Sequence, residues 1–315
     1  MPAKAAEAGY FCFVDVDYDL HMRSLFSDHE IDADNRLVTY DEFDDPPWLV
    51  EPLDRAVVSL CRFRYPDRDR TIFVSLTDEG EVGFIGRQEG FYERIPGAGM
   101  RAPGATRHGL MARVRQIGTR LYACGFGGQV YRRDAPGAWV AIDDGVRRPP
   151  TFNDTLSLED INGPHEHDMY VVGTGGTVAV FDGVRWSLAN VPTQRDLRTI
   201  LVEADTSVWL AGKQGALLCG NSRDGFQDRS DPRFTAEVLS LALFEGRLYL
   251  GTRDGIAVLD SNRVVPIETG LQPPLGDAHI IDAVDGVLWA FGYYGVARFD
   301  GTRWVRCPLD DVSRS

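Results

Sequence analysis

Six histidines (His21, His29, His108, His165, His167 and His279) and five cysteines (Cys12, Cys61, Cys124, Cys219 and Cys307) are the residues of this 315-residue chain best suited to acid–base, nucleophilic or metal chemistry. Their spacing supports little of it. The densest ligand group is His165-Glu166-His167-Asp168. On an extended chain His165 and His167 share a face, so a metal could be held there, but a polar loop is the simpler reading. No H-E-x-x-H, no Cys/His cluster, no G-x-S-x-G and no G-x-x-x-x-G-K-[ST] occurs. His108 and His279 fall in long irregular links and could face one cavity, where a histidine pair could serve a lyase or hydrolase as acid and base. The cysteines are odd in number, far apart and embedded in or beside apolar runs. They read as reduced, mostly buried thiols of a cytoplasmic protein, and no metal or cofactor is expected.

The acidic residues are more informative. Against 47 Asp and Glu stand 33 Lys and Arg, a formal net charge of −14. That argues against general affinity for nucleic acid or anionic membranes and leaves basic proteins as partners. The excess is uneven, because residues 1–55 hold 14 acidic and 4 basic side chains. Asp15, Asp17 and Asp19 alternate and would share one face of a strand, while Asp41, Glu42, Asp44 and Asp45 precede Pro46-Pro47-Trp48. The Asp-Val-Asp-Tyr-Asp string lacks the glycine and terminal glutamate of an EF-hand loop, so a calcium site is the lesser reading beside a solvated or partner-binding surface. Lysine is confined to Lys4 and Lys213. The first residues carry no apolar stretch of signal-peptide length, and no window is long and apolar enough to span a bilayer.

The elements that must position these residues come from an internal repeat. An apolar-aromatic strand, a glycine turn, a second strand, another turn and a third strand recur from Leu121, Met169, Val208, Leu248 and Leu288, with a looser copy from Ile72. An aromatic at the second position falls at Tyr122, Tyr170, Trp209, Tyr249 and Trp289, spaced 48, 39, 40 and 40 residues apart. Six residues later stands Gly128, Gly176, Gly215, Gly255 or Gly295. A further apolar strand precedes each copy, at 56–63, 110–117, 155–162, 198–205, 238–245 and 279–286. Four antiparallel strands, A to D, in ~40–50 residues indicate an all-β fold, a single β-propeller over residues 1–315. Residues 56–307 supply six recognisable blades. Residues 1–55 would be either an acidic N-terminal extension or a degenerate seventh blade with strands near 11–17, 21–26, 36–43 and 48–51. Seven blades are favoured over six.

The unit Leu-Trp-Ala-Phe-Gly-Tyr-Tyr-Gly-Val-Ala-Arg-Phe-Asp-Gly-Thr-Arg-Trp from Leu288 resembles the regulator-propeller repeat of bacterial sensors, as do the copies from Leu248 and Met169. The resemblance covers 121–307 clearly and 56–100 weakly, and it implies the fold. The sensor role does not follow from it. Kelch, Asp-box and WD40 patterns fit less well: the double glycines 127–128 and 175–176 are not general, Asp134 opens only a partial Asp box, and no Trp-Asp ends a blade. Asp182-Gly183 and Asp300-Gly301 are expected to form tight C–D hairpins, with Trp186 and Trp304 covering their blades.

In a propeller the B–C turns and D–A links share one face. Asp78, Glu79, Phe126, Arg253, Asp254, Tyr293 and Tyr294 lie in those turns, and the links at 96–109, 143–154, 230–237 and 268–278 are long, so variety concentrates on that face. With the acidic N-terminal residues they make up the expected partner-binding set. The reading is a non-enzymatic, cytoplasmic bacterial propeller that binds another, basic protein, such as an immunity protein capping a secreted toxin. A lyase or hydrolase using His108 and His279, and a small-ligand sensor, are the alternatives.

Overall fold

A computed structural model describes residues 1–7, 9–16, 35–45, 47–53, 55–86, 90–101, 104–105, 108–148, 156–204, 207–293 and 295–307. Its strands form seven four-stranded antiparallel sheets, each built from consecutive strands. The A strands are Ala3–Glu7, Val57–Arg64, Met111–Ile117, Leu158–His165, Leu197–Ala204, Val238–Phe244 and Ile280–Val284. Each neighbours the next in cyclic order, and that of blade 7 neighbours that of blade 1, which closes the ring around a central channel. The chain is a seven-bladed propeller, and no strand is exchanged to close it.

Blade 1 is the sheet that differs most from expectation. It consists of Ala3–Glu7, Tyr10–Val16, Asn35–Asp41 and Trp48–Leu53. The innermost strand, Ala-Lys-Ala-Ala-Glu, was not among the expected strands, because nothing in it favours a pleated conformation. Tertiary context decides the matter: Ala3 and Ala5 pair with Phe13 and Phe11 and are buried, and their small side chains suit the crowded centre of the ring. The expected strand at 21–26 lies outside the described residues.

Between every two adjacent blades sits an apolar cluster, so the core is a ring of seven interfaces. Four of the repeat aromatics, Tyr122, Tyr170, Tyr249 and Trp289, are buried in them. The interfaces of blade 1 are unequal. Against blade 7 it packs Phe11 on Trp289 and Phe291, with ring centroids 5.0 and 5.5 Å apart. Against blade 2 only Cys12, Val14, Leu37, Val57, Leu60 and Phe73 form the buried cluster.

The repeat glycine has a physical role in each of the five copies. Gly128, Gly176, Gly215, Gly255 and Gly295 all have positive φ, between 65° and 145°. At Gly128, Gly176 and Gly215 a Cβ would also collide with a carbonyl of the following D–A link, at Val146, Thr193 and Phe234. The residue therefore turns the B–C hairpin in all five copies, and in three of them it also lets the inter-blade link pass over it.

The Asp-Gly hairpins form as expected. Asp182 Oδ1 accepts the N–H groups of Val184 and Arg185 at 2.9 Å. Asp300 Oδ1 accepts the Thr302 hydroxyl and the Arg303 and Thr302 N–H groups, which pull its carboxyl pKa down to about 2. Trp186 is buried, and its Nε1–H donates to Ile142 O of blade 3 at 2.7 Å. This stitches two blades together.

Candidate partner-binding surface

The B–C turns and D–A links interlock on one face. Met111 N–H donates to Asp78 O (2.8 Å), Phe126 N–H to Leu110 O (2.9 Å), Lys213 N–H to Asp196 O (2.9 Å) and Ala278 N–H to Thr252 O (2.9 Å). These bonds satisfy backbone groups that would otherwise be orphaned in irregular chain, and they fix the turn tips rigidly enough to present side chains.

Individual tips differ in what they leave available. Glu79 is engaged internally, accepting the Met100 and Arg101 N–H groups at 3.0 and 2.8 Å and facing Arg101 Nε at 3.4 Å. It therefore folds the long link at 95–101 over the turn, and beside it Met100 is 41% exposed. Burial, and then the adjacent Glu79, raise the Asp78 carboxyl pKa. Phe126 and Tyr293 are 43% and 44% exposed, the two large apolar rings left open among the described B–C turns. Tyr293 is held by its backbone N–H on Asp277 Oδ2 (2.9 Å) and by an edge contact with the His279 ring (4.4 Å). Arg253 and Asp254 are exposed, with Arg253 Nε 3.4 Å from Glu237. Tyr294 lies outside the described residues.

The sequence did not single out the charge ladder between blades 4, 5 and 6. Arg198 lies 3.0 Å from Glu159 and 2.8 Å from Glu237, and Lys213 pairs with Asp196 at 2.8 Å. Arg198 and Lys213 each stand next to or within a feature of the repeat. No local pattern marks them as partners across blades.

The acidic N-terminal residues do not form one patch. Asp15 is opposite Arg36 near the end of its strand, one pair from Val16 and Asn35, so that end of the hairpin belongs to the B–C face. Asp17 and Asp19 lie outside the described residues. Asp41, Glu42, Asp44 and Asp45 occupy the C–D hairpin at the other end of the same strands, on the opposite face of the ring. Asp41 is buried, its Oδ1 accepting the Phe43 N–H (3.1 Å), and Glu42 pairs with Arg298 of blade 7 at 3.3 Å. Asp44 and Asp45 are exposed. Trp48 is half-buried against Tyr40, 4.6 Å between ring centroids. Beside this hairpin a cleft of about 470 Å³ opens between blades 1 and 2, lined by Asp44, Trp48, Glu51 and Tyr92 among others. It lies over the sparser of the two blade-1 interfaces, and Leu49 and Tyr92 stand 58% and 65% exposed beside it.

The histidines are dispersed. His108 neighbours Arg147 and Asp143, and burial followed by the Arg147 charge lowers its pKa. His279 instead pairs with Asp277 at 3.1 Å. His165 and His167 stack on each other in an A–B turn. The Glu166 between them accepts the Thr119 N–H and hydroxyl at 3.0 Å and also pairs with Arg120, tying blade 4 to blade 3. Among the described residues no three His, Cys, Asp or Glu side chains gather as metal ligands.

A closed ring of seven blades, with its chemical variety carried by interlocked turns on one face, defines a β-propeller. Solved structures agree on the fold. The chain is similar to the WD40 propeller domain of Doa1 (11% identity over 97% of this chain and 90% of that one, TM-score 0.60). It is also similar to a catalytically inactive virginiamycin B lyase from Staphylococcus aureus (10%, 81% and 86%, TM-score 0.62). A third is PorZ of Porphyromonas gingivalis (12%, 98% and 38%, TM-score 0.60). No protein-family model matches the chain. Of the regulator-propeller resemblance, the solved structures bear out the propeller fold. The sequence itself goes further. It is 32% identical over 227 residues, 72% of each chain, to the immune protein Tsi7 of Pseudomonas aeruginosa strain PAO1. The chain belongs to the Tsi7 family of immunity proteins.

Proposed function

We propose that this chain is a non-enzymatic immunity protein of a bacterial cytoplasm that binds a basic toxin domain and neutralises it, docking it on the B–C/D–A face. The observation that carries the reading is the relationship to Tsi7 over 72% of both chains. Two features of the molecule support the finer parts. The net charge of −14 favours encounter with a cationic surface and disfavours competition by nucleic acid. The exposed rings of Phe126 and Tyr293, on turns pinned by backbone hydrogen bonds, supply rigid aromatic anchors of the kind that dominate interface energies.

The test is co-expression with a candidate toxin domain drawn from a gene neighbouring this one, followed by size-exclusion chromatography and calorimetry at two salt concentrations. A one-to-one complex whose affinity falls with salt is the expected result. Absence of any complex with that toxin, or an affinity indifferent to salt, would overturn respectively the partner and its basic character.

A further inference from the structure

In a chain of net charge −14, the central channel gathers basic side chains. A cavity of about 270 Å³ in the central channel is lined by Lys4, Arg62, Arg113 and Arg115, from blades 1, 2 and 3, with Asp282 of blade 7. A second space of about 490 Å³ at the A–B end of the channel is lined by Lys4, Arg62 and Arg115 again, joined by Arg64 and by one carboxylate, Asp285. The same three cations therefore face both the interior and its mouth.

Two of the three nearby carboxylates, Asp160 and Asp282, are already occupied. Asp160 is fully buried and takes Arg115 through two bonds of 2.8 and 2.7 Å, Arg113 at 3.4 Å, and the Ile161 and Ile200 N–H groups at 2.9 Å. Asp282 accepts the Ala5 N–H through Oδ2 and stands 3.6 Å from Arg62 through Oδ1. Around the inner cavity four cations thus face two carboxylates, and Arg64 and Asp285 at the mouth offset each other, so the excess positive charge lies in a site partly screened from water. In such a place excess positive charge is costly unless an anion joins it. Lys4 registers this directly. Burial lowers its pKa, Asp282 opposes that, and Arg115, Arg62 and Arg113 lower it further. In a chain with only two lysines and so many acids, a lysine and three arginines gathered in one channel set up local recognition that the net charge hides.

We propose that the central channel binds a phosphate-class oxyanion, entering from the A–B side and held by Lys4, Arg62 and Arg115. Guanidinium forks and an ammonium are the groups that recognise tetrahedral oxyanions by paired, charge-assisted hydrogen bonds. Among the described residues no aromatic platform lines either space, so the recognition is of charge and the ligand needs no base or ring. The proposal does not depend on the toxin-binding reading, because the site lies along the ring axis, away from the B–C turns.

The experiment measures thermal unfolding and calorimetric binding of the full chain with sodium orthophosphate, pyrophosphate and AMP, each against sodium chloride at matched ionic strength. The expected result is an upward melting shift of about 3 °C at ~100-fold excess over the dissociation constant. Pyrophosphate should bind more tightly than orthophosphate. Lys4→Gln should lose the shift while remaining folded, and Arg62→Gln is the second variant should Lys4→Gln fail to fold. Equal stabilisation by chloride, binding of AMP without binding of inorganic phosphate, or an undiminished shift in the variant that folds would each overturn the proposal.

Discussion

Ala5 and Asp282 stand 277 residues apart in sequence, and the Ala5 N–H donates to Asp282 Oδ2 at 3.1 Å. This bond runs from blade 1 to blade 7 and closes the ring. The same device recurs around the channel. Val114 N–H donates to Ser59 Oγ (3.1 Å), Ile200 N–H to Asp160 Oδ2 (2.9 Å) and Ile281 N–H to Ser240 Oγ (3.0 Å). In each case a polar side chain on one A strand captures an amide of the next, where adjacent blades splay too far for a β-ladder. Many propellers are closed by a strand shared between the two ends of the chain. Here the closing blade is made of consecutive strands, so side-chain bonds and packing must hold the seam.

Replacement of Asp282 by alanine should therefore cost about 1–3 kcal/mol, the usual penalty for leaving a buried donor unsatisfied. Asp282→Asn keeps an acceptor for Ala5 and should recover part of the loss. Urea unfolding monitored by tryptophan fluorescence checks this, and equal stability of the alanine variant and the parent would refute it.

Asp160 predicts an acid limb of the stability curve. Burial pushes its pKa up, but Arg115 and then Arg113 prevail and hold the carboxyl below its ordinary value. A carboxyl lowered in the folded state contributes stability above its unfolded pKa of about 4, and that contribution is lost as pH falls from there through the folded value. Asp160→Asn should be less stable than the parent at pH 7, and the gap should narrow as pH falls below about 4. At neutral pH, Asp160→Ala should cost about 3–5 kcal/mol by stranding two arginines. Chemical denaturation at stepped pH gives the readout, and a gap that widens in acid would contradict the assignment.

Trp186 allows indole packing to be separated from the indole hydrogen bond. It is buried between blades 3 and 4 and donates to Ile142 O at 2.7 Å. Trp186→Phe retains most of the ring and should cost about 1–2 kcal/mol, whereas Trp186→Ala should cost about 3–5 kcal/mol. Matching losses for the two variants in equilibrium unfolding would show that the hydrogen bond, and not the packing, is what matters.

These residues differ in how legible they were. The blade architecture could be read from the aromatic-to-glycine offset because a physical constraint, positive φ under a crossing link, imposes it at Gly128, Gly176 and Gly215 alike. The hairpin role of Asp182 and Asp300 was legible for the same reason, being local chemistry. Ala3–Glu7 was not, since its strand identity comes from Phe11 and Phe13 opposite and from the ring centre, neither of which leaves a trace in its own composition. Nor were Lys4, Arg62 and Arg115, which converge from three blades only when the ring closes. The sequence groups Asp15 with the acidic run at 41–45 in one N-terminal segment, yet the length of one strand pair puts them at opposite ends.

That separation makes the docking face testable with the toxin as ligand. Phe126→Ala and Tyr293→Ala alter exposed rings on the B–C face, and hot-spot truncations of this type typically cost about 2 kcal/mol each, or ~30-fold in affinity. Asp44→Lys with Asp45→Lys reverses charge on the C–D face and leaves the B–C turns untouched. If the partner docks on the B–C face, the aromatic variants should weaken binding with little change in melting temperature. The charge-reversed variant should mainly slow association, because distant acidic residues act by steering. Calorimetry and surface-plasmon kinetics separate the two effects. Full affinity in the aromatic variants together with a large loss in the Asp44/Asp45 variant would move the interface to the hairpin and the adjacent cleft between blades 1 and 2.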